Sequence, residues 1–185
     1  VTVTVAPREV VDLVHRASRG HGCNADLADR LAAEIAFCEV HHGGGLAAWA
    51  GLIDAGSGRL ADAARSSLRL AAAEVVARSA GAATIDFDPP LPLAVIARSL
   101  RDLERRGVRC APATGGLTGT DLVARLDLAD GGPATATTSR SDDRMQAALR
   151  GGLVVDRTLW QRVSDAADGF LVSEAILDAV LETPS

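Results

Sequence analysis

Apolar residues recur every three or four positions through the first half of the chain and alternate with polar ones in parts of the second. Val10, Leu13, Val14 and Ala17 share one face of a helix that opens at Pro7, where a missing N–H leaves nothing unsatisfied. Arg19-Gly20-His21-Gly22 ends it. Asn24 is a favourable N-cap for a second helix running through His42. In it Leu27, Leu31, Ile35 and Cys38 form the apolar stripe, while Asp26, Asp29, Arg30 and Glu34 sit mostly elsewhere. The glycines at 43 to 45 stop this helix, and the pair reads as an αα-hairpin. Leu46, Trp49, Ala50 and Ile53 predict a short third helix, broken by Asp54-Ala55-Gly56-Ser57-Gly58. The stripe Leu60, Ala64, Leu68, Ala71 and Val75 then predicts one continuous helix to Ala77.

Beyond Gly81 the period changes. Ile85 and Phe87 mark a strand over 83–87, which Asp88-Pro89-Pro90 forces to stop or turn. Leu93, Ile96, Leu100 and Leu103 rebuild a helical stripe, and 108–111 reads as a short strand; strand, helix and strand suggest a βαβ unit. In 121–128, Leu122, Ala124, Leu126 and Leu128 alternate against Asp121, Arg125 and Asp127, the signature of a half-buried strand. A turn at 130–133, a threonine-rich hairpin arm at 134–139 and a helix at 141–150 follow. A strand at 153–155, a helix capped by Asp156 and a last helix from Ser173 complete the chain. Val1 to Val5 are an edge strand or a lead-in. The expected fold class is α+β: a helical N-terminal half (7–78) and a mixed, small-sheet C-terminal half (83–182) within a single domain, 1–185.

Composition narrows the chemistry. With 48% hydrophobic residues the chain can build a core unaided. All 19 basic residues are arginine, which excludes a lysine Schiff base, a Walker A phosphate loop and a Ser–Lys dyad within this chain. The net charge is -5 and the arginines are spread out, so no nucleic-acid partner is expected. Cys23, Cys38 and Cys110 make a poor disulfide framework and point to a reducing compartment. No apolar run is long enough to span a bilayer, no membrane partner is expected, and a cytoplasmic location follows.

The best chemical constellation is His21-x-Cys23 followed by Cys38-x-x-His41-His42. On paper it has zinc-like spacing, with Cys23 and Cys38 as metal ligands. A continuous helix would hold the two clusters roughly 20 Å apart, leaving Cys38 as a buried small hydrophobe and the histidines as a polar helix end. His15 has Asp12 three residues earlier to orient it, but no matching nucleophile. Gly115, Gly116, Thr118, Gly119 and Thr120 form a small-residue loop able to cradle an anion or to serve as a plain turn, and Gly43 to Gly45 are similar. Asp86 with Asp88, and Asp142 with Asp143, are weak paired-carboxylate signals. Arg105, Arg106 and Arg109 read as a solvated helix end that could receive a carboxylate or phosphate. No dinucleotide fingerprint is present, and no cofactor is expected.

The opening Glu9 to Gly22, with its Ala17-x-Arg19-Gly20-x-Gly22 helix end, resembles an uncharacterised bacterial protein family, a domain of unknown function. Leu159-Trp160 through Phe170-Leu171-Val172-Ser173-Glu174 resembles that family's closing region. The resemblance implies one full-length domain and carries no activity with it. The family's aromatic near 24–27 is absent here.

These readings lead to an expected non-catalytic accessory subunit or small-ligand-binding domain acting in an oligomer. Its expected partners are a second copy or another protein, with a small anionic ligand possible. One alternative is an enzyme using His15, His21, His41 or His42 with the cysteines; the other is a metal-dependent regulator.

Overall fold

The computed structural model describes residues 1–131 and 139–170. The threonine-rich arm at 134–139, all but its last residue, and the last helix from Ser173 lie outside them, as does the resemblance over 171–174. The fold is α+β, with helices in the N-terminal part and strands mixed into the C-terminal half. Among the described residues no helix is long and apolar enough to cross a membrane.

Helix α1 (Pro7–Gly20) starts where expected, with the Glu9 carboxylate accepting the Ala6 amide at 2.6 Å. Helix α2 (Ala25–His41) is capped by Asn24, whose side chain accepts the Leu27 amide at 2.9 Å. It is the central rod. The hairpin partner α1, α3 (Gly45–Asp54), α4 (Ser57–Ala64), α6 (Ala97–Arg105) and α7 (Ser139–Gly151) all pack on it. Its alanines 28, 32 and 36 are buried, which lets those neighbours approach closely. Trp49 of α3 fills the space between helices, and its indole N–H donates to the buried Ser18 hydroxyl of α1 at 3.0 Å.

The single helix expected from Leu60 to Ala77 is two. Helix α4 ends at Ala64, Arg65 bends the path, and α5 (Ser66–Ala80) starts on a new axis. The bend resets the helical phase. Leu60 and Ala64 stay buried, but on α5 it is Leu70, Ala73 and Ala77 that face inward. Leu68, Ala71 and Val75, expected inward, face out.

Strand β2 (Ala82–Pro92) passes through the prolines that were expected to end it, with a bulge between Asp86 and Leu91. After a 3-10 turn at Leu93–Val95 come α6 and β3 (Val108–Ala111). Both β2 and β3 pair antiparallel with β4 (Leu122–Asp130), in the order β2-β4-β3. The expected βαβ unit is therefore split: β2 and β3 run the same way, with β4 inserted between them. Opposite the bulge the pleat of β4 changes phase, so Val123 is buried and Leu122 exposed, the reverse of simple alternation. Helices α5 and α6 cover the apolar side of this sheet. Its other side carries Thr84, Asp86, Arg125 and Asp127.

The N-terminal Val/Thr segment is a strand, β1 (Thr2–Val5), paired antiparallel with β5 (Leu153–Asp156). Asp156 then caps α8 (Arg157–Asp168) through the Thr158 and Leu159 amides. Replacing Ser18 by Ala leaves the buried Trp49 N–H without its partner. It should cost about 1–3 kcal/mol of stability, read as a lower urea midpoint at unchanged slope.

Candidate functional site

Helix α2 is continuous, and it separates the two His/Cys clusters. At one end, His21 Nδ1 lies 2.9 Å from the Ala17 carbonyl and its ring meets Trp49 edge-on; Cys23 is buried, and burial pushes its thiol up. His15 stands 3.4 Å from Asp29, joining α1 to α2. At the other end, some 25 Å away along the rod, His41 stacks on Phe37 at 4.2 Å and Cys38 is fully buried. Burial, reinforced by Glu39 and Glu34, pushes the Cys38 thiol far above its usual range. Among the described residues no three His, Cys, Asp or Glu side chains gather to hold a metal ion.

The structure does join two loops that are far apart in sequence. The Gly43–Gly45 turn and the Leu117–Thr120 loop dock on each other. The Gly119 amide donates to the Gly43 carbonyl at 2.7 Å, and the Leu117 carbonyl lies 3.3 Å from His42 Nδ1. Gly44 takes a left-handed φ of 75°, and a Cβ on Gly119 would come within 2.7 Å of the Gly44 carbonyl carbon, so both contacts require glycine. The loop's own groups are committed internally. The Thr118 amide and hydroxyl both donate to Asp121, and the Thr118 hydroxyl meets Thr120 at 3.1 Å. Gly115 and Gly116 are exposed beside them. Next to this corner, burial and the Arg101 and His42 charges lower His41 to about 4, with Arg105 adding and Asp142 opposing. Burial lowers His42 as well, with Arg144 and Arg101 adding and the Leu117 carbonyl opposing. Both rings are neutral at physiological pH.

A second polar centre has no counterpart in the motifs. Glu34 lies on the inner face of α2 with 4% exposure. Its carboxylate accepts the Arg98 amide at 2.7 Å, the Ser99 amide at 3.0 Å and the Ser99 hydroxyl. It thus caps the first turn of α6, a helix otherwise without a side-chain cap. Burial pushes this carboxyl up to about 7, against the pull of those donors and of Arg98.

Glu34 forms part of the wall of a polar cleft of about 180 Å³ between α2, α5 and α6, lined also by Arg30, Ser67, Arg98, Ser99 and Asp102. A neighbouring lobe of about 160 Å³ shares Arg30, Ser67, Ser99 and Asp102 and adds Leu70, Ala71, Leu103 and Arg106. Arg98 faces Asp102 at 3.9 Å, and Arg106 makes two bonds to Glu74, at 2.9 and 2.7 Å. Arg30 has neither hydrogen bond nor ion pair among the described residues. The Ser67 hydroxyl is likewise without a partner. The remaining motif residues are solvated. Asp86 lies 3.9 Å from Arg125, Arg105 lies 4.0 Å from Asp102, and Asp88, Arg109 and Asp143 are exposed.

No protein-family model, curated protein or solved structure matches the chain.

The raised carboxyl gives a signed pH effect. Between the ordinary glutamate value and about 7 the folded chain keeps a proton that the unfolded chain has released. Stability therefore falls as pH rises from about 4.5 to 7, by something on the order of 3 kcal/mol. Urea titrations across that window should show the slope, and Glu34→Gln should flatten it.

Proposed function

We propose that this chain is a non-catalytic small-ligand-binding domain acting in an oligomer, with the α2–α5–α6 cleft as its binding site for a small anion. One observation carries the reading: among the described residues Arg30 opens on a concave polar cleft with no partner for its guanidinium, while Arg98 and Arg106 beside it face acidic partners. An unpaired arginine on a convex surface is ordinary. In a cleft, beside a hydroxyl that also lacks a partner, it is a donor set ready for a carboxylate or phosphate oxygen.

The groups around the histidines and cysteines support binding over catalysis. The Cys38 thiol is held protonated, and the Ser99 hydroxyl is committed to Glu34. The enzyme alternative draws support from a different fact, that His41 and His42 are kept as neutral bases beside arginines. Against it, His42 Nδ1 faces the Leu117 carbonyl rather than a nucleophile or an orienting acid.

Isothermal titration with acetate, propionate and inorganic phosphate tests the binding reading. At least one should bind with 1:1 stoichiometry, and Arg30→Ala should weaken it at least ten-fold. Binding unaffected by Arg30→Ala would overturn the assignment of the cleft.

The oligomer rests on the outer face of α5, where Leu68, Val75 and Val76 are 44%, 68% and 51% exposed along one side of the helix. A second copy is the partner this face suits, since its apolar strip is self-complementary. Light scattering should give twice the 19.0 kDa chain mass, and Val75→Arg should return the monomer. A wild-type monomer at every concentration would remove the oligomer from the reading.

A further inference from the structure

The charges facing the cleft are of both signs, and they are carried by different helices. Arg30 projects from α2 with no partner among the described residues. Asp102 projects from α6 and lines both lobes. Among the described residues its ion pairs, to Arg98 at 3.9 Å and Arg105 at 4.0 Å, stand at the outer limit of such contacts, with partner side chains that are 53% and 66% exposed. Exposed pairs at that distance contribute little and are readily exchanged for a better-placed cation. Arg106, by contrast, is held by two short bonds to a largely covered Glu74 and is not available to a ligand.

The cleft is also small. Lobes of about 180 and 160 Å³ are each below the roughly 300–1,000 Å³ of sites that take drug-sized ligands or cofactors, and together they reach only the lower end of that range. Each lobe is worth about five or six water volumes. The first lobe is lined wholly by polar and charged residues, whereas the second adds Leu70, Ala71 and Leu103. A ligand that matches this layout has a carboxylate for Arg30, a cation for Asp102 and a short apolar side chain for the second lobe.

Resting on the reading of the cleft as the binding site, we infer that its ligand is a free α-amino acid with a small side chain, held by its carboxylate at Arg30 and by its ammonium at Asp102. A simple carboxylate satisfies Arg30 alone. An amine alone engages Asp102 and leaves the Arg30 charge unmatched. Only the zwitterion engages both helices at once.

Titration calorimetry at neutral pH with glycine, L-alanine, L-serine and L-valine, set against propionate and propylamine, tests this. At least one amino acid should bind ten-fold or more tightly than either propionate or propylamine. Asp102→Asn should reduce that preference to within two-fold while leaving propionate affinity in place. Arg30→Ala should abolish both. Asp102 touches only exposed partners, so its asparagine variant should keep the wild-type circular dichroism and Tm. Propionate binding as tightly as every amino acid, or a preference that survives Asp102→Asn, would overturn the zwitterion inference and leave the anion-binding cleft standing. Absence of binding by every probe, or binding indifferent to Arg30→Ala, would overturn both.

Discussion

The bond between Glu34 and the start of α6 is the constraint on which the rest of the arrangement depends. A helix that begins beneath other elements has first-turn amides that water cannot reach, and something must accept them. Ile96 provides no side-chain acceptor at the cap position of α6, so the acceptor comes from another helix. Glu34 reaches across from α2 and takes the amides of Arg98 and Ser99 together with the Ser99 hydroxyl. A buried carboxyl without such donors would be strongly unfavourable, and so would the amides without the carboxyl. Each solves the other's problem, and only at one relative placement of the two helices. That placement sets the width of the cleft, whose third wall is α5, held in turn on the β2-β4-β3 sheet.

The same rigid α2 decides which chemistries can assemble. Its length keeps His21 and Cys23 apart from Cys38, His41 and His42, and its C-terminal end delivers His42 to the Leu117 carbonyl. Two glycine-rich loops then close on one another, because Gly119 without a Cβ lets the backbone at 44–45 approach so nearly. The amides that could have formed an anion cradle in the 115–120 loop are instead used by Asp121 and Gly43. The corner therefore works as a clasp between the helical part and the sheet.

Much of this was legible in the sequence, and the failures have physical causes. Asn24 and the Leu27, Leu31, Ile35, Cys38 stripe predict α2 almost to the residue, because a good cap and a strong period coincide. The segment from Leu60 to Val75 reads as one helix because alanine-rich sequence keeps a plausible stripe on several faces at once. Nothing in Ala64-Arg65-Ser66 marks a bend. Periodicity groups Glu34 with Asp26, Asp29 and Arg30, mostly away from the apolar stripe. Yet it stands three residues after Leu31 and four before Cys38, squarely within the apolar stripe. A lone acid at such a position is the available signal for a buried carboxyl. What single-chain periodicity cannot supply is the partner: that the acceptor belongs to amides 64 and 65 residues away follows only from the packing of α2 on α6.

Four titratable groups along α2 and at its C-cap share one electrostatic fate. Burial pushes the Cys38 thiol and the Glu34 carboxyl up and the His41 and His42 imidazoles down, in each case toward the uncharged form. Groups so treated are ones the fold has drawn out of water and bonded to its own backbone or packed against its own side chains. Arginine does not yield in this way, since it stays charged in any protein environment. A guanidinium left facing a cleft is thus a permanent charge that the fold has not neutralised. Where Arg106 meets Glu74 the charge is matched; where Arg30 meets the cleft it has no match among the described residues. That contrast, between two arginines lining the same lobe, supports an external anion as the missing counterpart.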